Sequence, residues 1–310
     1  VGMGFFNSTT IYEESWLLLF ITKFVGLFPI KYCNIACTRY IYITLLLILY
    51  YGLYYNVKEY ARSTFEILNI VTPVVKVRKI RYYINTIMLP LMLISSTHHN
   101  LKVKIVYEEI NNIDKSLKYL NTNIDHTWCM KNDVIRITST ILTVILLNLI
   151  DYYGLLDAKK NYMYVLVWMS DCIPDFVNTI VLCSFAALIN KITERFKVVN
   201  KLMNFTRSEK NVIACILDFR LKLLKTLHLK LCKTMTLLNE AYGFQFTILS
   251  MVYIIHICLN LNIIYGKSYI LMDMVDVILS VVSGIFDVFR LTYIIRLYHV
   301  LTFQVNIFSI

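Results

Sequence analysis

Residues 162–189 read YMYVLVWMSDCIPDFVNTIVLCSFAALI, and Asp171 and Asp175 are the only charges among them. About 20 apolar residues suffice for a helix to cross a bilayer, at about 1.5 Å of rise per residue. The run is therefore read as a membrane span. Pro174 inside it frees one backbone carbonyl and can kink the helix. Working outward, comparable runs occupy about 36–55, 82–98, 135–153, 241–265 and 269–291. In lipid every backbone N–H and C=O must be paired internally, so helices are the default form of such runs. The expectation is an all-α membrane protein, a polytopic bundle with six transmembrane helices forming a single domain over residues 1–310.

The composition agrees. The 310 residues are 58% hydrophobic and 16% charged, with mean hydropathy +0.61. A soluble domain is about 45–50% apolar and about 25% charged. Disorder is excluded, since it needs low hydrophobicity. So is an ordinary soluble enzyme. Eight glycines and four prolines are too few for a collagen-like, propeller or loop-rich β protein.

The net charge of +11 is read as topology rather than as nucleic-acid binding. With the N-terminus inside, 22 of the Lys and Arg residues fall on the inner side and nine on the outer. That split favours a cytoplasmic N-terminus, although the basic cluster at 76–81 falls on the outer side. No basic region precedes the apolar stretch near 16–20, so no cleavable leader is expected. The sequons at Asn7 and Asn204 are then cytoplasmic and unmodified. The eight cysteines are scattered and read as free thiols.

Two inner connections, about 99–134 and 190–240, read as helices. Apolar residues recur at Val106, Ile110, Ile113, Leu117 and Leu120, with charges on the other face. A second stripe runs through Phe196, Val199, Leu202 and Met203, then Ile216, Phe219, Leu223, Leu227, Leu231 and Leu238. Such stripes suit cytoplasmic extensions of the transmembrane helices packed on one another, which is the expectation here. A helix lying on the membrane surface is the alternative.

Four segments, in this order, resemble insect gustatory receptors. Residues 20–29, FITKFVGLFP, are similar to the family's "GlfP" stretch before span one. Residues 174–200, PDFVNTIVLCSFAALINKITERFKVVN, resemble its fourth span running into an inner "RF..lN" helix. Residues 228–246, HLKLCKTMTLLNEAYGFQF, are similar to the inner helix entering span five, with the sense "LN..fG". Residues 260–265, NLNIIY, resemble the outer end of that span. The resemblance covers about residues 17–300.

The family ends in a seventh span carrying TYhhhhhQF, where h is apolar. Here Thr292 and Tyr293 match its first two letters, but Arg296 falls inside, so this stretch is read as the inner end of span six. The expectation is a chain that stops before the seventh span, the one that lines the family's ion pathway.

The resemblance implies a ligand-gated cation channel subunit of the plasma membrane that detects tastants. It implies a homo- or hetero-tetramer around a central pore, with a pocket among spans two to six. The alternatives are an odorant receptor of the same architecture and a secondary transporter. No half-to-half repeat is visible, and Pro90 and Pro174 are not in equivalent places, which weakens the transporter.

Candidate ligand-binding residues are polar or aromatic positions in the outer halves of spans. They are Asn148, Asp151 and Tyr152 in span three, Tyr164, Trp168 and Asp171 in span four, and Asp276 in span six. Asp273 lies nearby. The plainer reading is that these groups sit at the membrane interface, solvated by water and headgroups. Tyr50, Tyr51, Tyr54 and Tyr55 are read as part of the interfacial aromatic belt. Asp287 and Arg290, three apart, are read as a pair on one helix face. His98 and His99 point different ways on a helix and suggest no metal. No P-loop, GxSxG, HExxH or paired catalytic carboxylates occur, so neither an enzyme nor a cofactor is expected.

Overall fold

The N-terminal segment forms through local signals. Thr10 accepts a side-chain hydrogen bond from the Glu13 backbone N–H at 3.3 Å, and Glu13 Oε2 accepts from the Thr9 backbone N–H at 2.7 Å. These reciprocal bonds start helix α1, Ile11–Glu14. After Ser15 comes α2, Trp16–Phe24. It ends in a Schellman turn: the Leu27 N–H reaches back to the Thr22 carbonyl, and the Gly26 N–H to the Lys23 carbonyl. Gly26 holds the left-handed φ of +84° that this turn requires, which gives the GlfP glycine its role.

The computed structural model describes residues 8–28, 37–67, 73–154, 162–208, 214–266 and 274–306. Six long helices follow the N-terminal segment: α3 Cys37–Ile67, α4 Pro73–Tyr119, α5 His126–Gly154, α6 Tyr162–Ser208, α7 Ala214–Gly266 and α8 Met274–Asn306. No strand occurs among the described residues. The turn between α4 and α5 is a second Schellman cap. There Asn121 takes φ +57°, the Thr122 N–H bonds the Leu117 carbonyl, and Asp125 caps α5 through the Trp128 N–H at 2.9 Å.

Length shows how far these helices extend. α4 and α6 have 47 residues each and α7 has 53. At about 1.5 Å per residue each is about 70–80 Å long, more than twice the roughly 30 Å of hydrocarbon in a bilayer. α4 carries both the apolar 82–98 run and the amphipathic 105–119 stretch without a break, so the two form one rod. The stretch 192–238 divides between the end of α6 and the start of α7, and residues 209–213 lie outside the described ones. Among the described residues three stretches are long and apolar enough to cross a membrane: His126–Leu149, Cys172–Thr206 and Leu217–Asn262. Tyr40–Tyr55 is a shorter apolar helix. Thr292 and Tyr293 continue α8 without interruption.

The expected stripes form the core. Val106, Ile110, Ile113 and Leu117 of α4 are fully buried against Ile192, Phe196 and Val199 of α6 and Leu227, Leu231 and Leu238 of α7. The packings of α4 on α7 and of α7 on α8 are the most extensive, while α3 packs more sparsely on α6 and α4. Among the described stripe residues Phe219 departs from expectation, at 68% exposed, and the Ile216 side chain lies outside the described residues. A strict four-residue step drifts by about 40° per repeat at 3.6 residues per turn. Followed backwards along α7, that drift carries position 219 off the face that Leu224, Leu227, Leu231, Met235 and Leu238 bury.

A buried ion cluster ties the N-terminal segment to the bundle. Arg195, the arginine of the "RF" motif, grips Asp114 of α4 with two hydrogen bonds, 2.9 and 2.8 Å. Its Nη2 also lies 3.5 Å from Glu14 of α1. Lys191 donates to Glu14 Oε1 at 2.5 Å and to Asp133 of α5, and His126 Nδ1 lies 2.7 Å from Glu14 Oε2. Burial alone would raise the Glu14 carboxyl. The His126 hydrogen bond and the charges of Lys191 and Arg195 overcome it, holding the group down at about 2. Tyr12 stacks on Tyr107 with ring centroids 6.0 Å apart, and the Tyr42 hydroxyl donates to the Phe24 carbonyl.

Candidate functional site

The sparse packing of α3 leaves a cavity of about 550 Å³ between α3, α4, α5 and α6. That lies within the roughly 300–1,000 Å³ typical of small-molecule pockets. α3 contributes Leu46, Leu49, Tyr50 and Leu53, and α4 contributes Leu89 and Leu93. α5 contributes Val144, Ile145, Asn148 and Leu149, and α6 contributes Cys172, Ile173, Phe176 and Val177. Phe24 and Val25, from the end of α2, complete the wall. The GlfP turn presents them there, since Gly26 packs among Leu46, Leu93 and Tyr42.

Few polar groups line this space. The Asn148 amide donates to the Val144 carbonyl at 2.9 Å and accepts from Cys172 Sγ at 3.2 Å. Tyr50, expected in the interfacial belt, is 5% exposed and faces the cavity. Its neighbour Tyr54 stacks on Tyr82 of α4 at 5.6 Å, so this part of α3 is bound to the bundle through its aromatic rings.

A second, polar cluster joins α4, α6, α7 and α8. Arg290 of α8 makes two hydrogen bonds to Asp175 of α6, 2.5 and 3.1 Å, and a third to Thr179 Oγ1 at 3.1 Å. Its guanidinium carbon lies 4.2 Å from the Phe286 ring centroid and 5.5 Å from that of Tyr253. Arg81 of α4 reaches Ser283 at 2.9 Å and Asp287 at 3.3 Å, both on α8. The Asn260 amide of α7 reaches the same Asp287 oxygen at 3.5 Å. His256 of α7 is buried beside these charges.

Asp287 and Arg290 form the expected pair three residues apart, at 4.0 Å, and each also has a closer partner on another helix. A buried charge needs a hydrogen-bonded counter-charge more than the loose contact three residues along the same helix offers. Arg81, counted in the 76–81 basic cluster, reaches into the bundle to the buried Asp287.

Of the expected site residues, Asn148 lines the cavity. Asp151 and Tyr152 lie on α5, Tyr164, Trp168 and Asp171 on α6, and Asp276 on α8, and their side chains fall outside the described residues. Asp273 lies outside them altogether. The Asn148–Cys172 contact nevertheless sets the register of α5 against α6. Onward from 148 and backward from 172, both helices run toward the 155–161 connection. Asp151, Tyr152, Tyr164, Trp168 and Asp171 thus belong to the helix turns between the cavity and that connection. Sequence reasoning missed the roles of Arg81, Asp175, Lys191 and Arg195, whose partners are more than 50 residues away. For Asp175 a charge inside an expected span was the available signal.

A bundle of long helices with apolar segments and a cavity of ligand size has the build of a helical membrane receptor. The chain belongs to the 7tm chemosensory receptor family, which it matches over residues 17–305. This is a family of receptors rather than of enzymes, and it agrees with the resemblance to insect gustatory receptors read from four sequence segments. No curated protein matches the chain.

Proposed function

We propose that the chain is a subunit of a ligand-gated cation channel that detects a small-molecule tastant at the plasma membrane. The cavity between α3, α4, α5 and α6 is the observation that carries this reading. Its walls include α4 and α6, rods that run on far past the thickness of a bilayer. A ligand seated there favours the helix arrangement that fits it better, by no more than its difference in affinity between the two. Asn148 is the polar contact inside the cavity. Asp151, Tyr152, Tyr164, Trp168, Asp171 and Asp276 are kept as further candidate contacts from their positions in the sequence.

In this reading the N-terminus is cytoplasmic and six spans cross the bilayer. The ends of α4 and α6 and the start of α7 project into the cytoplasm. Four subunits, identical or mixed, assemble through the α6–α7 extensions.

The test is ligand-evoked current in cells expressing the full chain, alone and together with other subunits of the family. A cation current that Leu149→Trp abolishes is the expected result. Silence in every combination, with the protein at the cell surface and binding ligand, would remove the channel reading.

A further inference from the structure

We infer that the cavity takes an uncharged, hydrocarbon-like molecule with at most one polar group, which enters from the bilayer between α3 and α5. The inference rests on the cavity being the ligand site and adds the class of ligand. Three observations carry it.

The first is the wall. Four helices and the end of α2 supply leucine, isoleucine, valine and phenylalanine almost throughout, with Asn148 as the one amide. A sugar would lose the hydration of every hydroxyl there and regain few hydrogen bonds. Among the described lining residues there is no carboxylate to meet a cation.

The second is where the charges are. Arg81, Asp175, Asp287 and Arg290 are spent on one another and do not line the cavity. Asp175 lies between the cavity-lining Ile173 and Phe176 on α6, yet it turns to Arg290.

The third is the mouth. Phe24, Leu49, Ile145 and Leu149 line the cavity and are also exposed. Leu45 and Ile48 on α3 and Leu142 and Leu146 on α5 are exposed around them. An opening rimmed this way faces hydrocarbon, where an apolar ligand is already concentrated and a polar one is not.

The test uses the full chain in phospholipid nanodiscs with N-phenyl-1-naphthylamine, whose fluorescence rises in apolar surroundings. Empty nanodiscs give the background. The expected result is protein-dependent binding displaced by 1-dodecanol, but not by glucose or tetraethylammonium at the same concentration. Leu53→Trp and Leu149→Trp, which fill the cavity, each weaken probe binding at least tenfold while the thermal midpoint is kept. Equal displacement by glucose or tetraethylammonium overturns the inference. So does wild-type binding by both tryptophan variants. A phospholipid retained at one per chain, which dodecanol does not displace, overturns it in favour of a bilayer lipid.

Receptor and ligand class fail separately. Dodecanol binding without any evoked current removes the channel reading and leaves the ligand class standing. Current evoked by glucose without probe displacement does the reverse.

Discussion

Between α3 and α5 the bundle has room and little polarity, while between α4, α6 and α8 it has four charges locked against one another. The helix α6 serves both regions. Cys172, Ile173, Phe176 and Val177 face the cavity, and Asp175 and Thr179 face Arg290. Each residue turns a helix by about 100°, so one apolar run presents a cavity wall and a structural joint on separate faces. The charges tie the rods together, and the space beside the weakly packed α3 is the ligand site of the proposed reading. Substitutions at the joint should therefore be read in stability, and substitutions at the wall in binding.

The largest effect is expected at the joint. Asp175→Ala leaves the buried Arg290 without its closest partner and should cost about 3–5 kcal/mol, and Arg290→Ala, which strips the part-buried Asp175 of its partner, somewhat less. Replacing both with apolar residues of similar size should restore much of that loss. Thermal unfolding of the detergent-solubilised chain measures all three. If the double variant is no better than the worse single one, the joint is not acting as a pair.

Next comes the inner cluster, which sharpens the comparison because Glu14 is tied to pH. Its carboxyl is held at about 2 against a usual 4.5. The charged form is thus favoured in the folded state, and its stabilising effect is complete above about pH 4.5. It is lost as the pH falls toward 2. Glu14→Gln should cost roughly 3 kcal/mol near neutral pH, and the gap to wild type should close over that acid range. A gap unchanged from pH 7 to pH 3 would show that Glu14 does not act through its charge.

Gly26→Ala should cost about 1–2 kcal/mol. The substitution forces a left-handed residue to carry a Cβ, which would lie 2.7 Å from Leu46 Cδ1. It also displaces Phe24 and Val25 from the cavity wall, so a modest stability loss should come with weaker ligand binding. The smallest stability change, within about 0.5 kcal/mol, is expected for Leu149→Trp at the exposed mouth. There binding should fall at least tenfold. A large loss of stability at Leu149, or none at Arg290, would dissolve the contrast between the two regions.

Periodicity made the rods and their core readable. Val106, Ile110, Ile113 and Leu117 were placed by spacing alone, because a buried helix face repeats every three or four residues. Phe219 failed the same test, since a four-residue ladder followed too far leaves its own face. The GlfP stretch was legible as a pattern. Its physical meaning, a Schellman turn around Gly26, needed backbone angles. Asp287 was matched to Arg290, three residues on, but its closer partner is Arg81, 206 residues away. No local rule pairs residues across such a distance. The cavity was hidden for a different reason. It arises from the sparse packing of α3, and a missing contact leaves no mark in the sequence. Among the candidates with described side chains, Asn148, chosen as a polar residue in an apolar run, pointed toward it.

Photolabelling tests the central claim most directly. An alkyl diazirine alcohol is bound to the full chain in nanodiscs, irradiated, and the labelled peptides are located by mass spectrometry. The account predicts label on the 144–149 and 172–177 stretches and at Phe24 and Val25, competed away by 1-dodecanol. Competable label instead on 253–260 and 283–290, around the Arg81, Asp287 and Arg290 charges, would put the ligand in the polar joint and contradict the account.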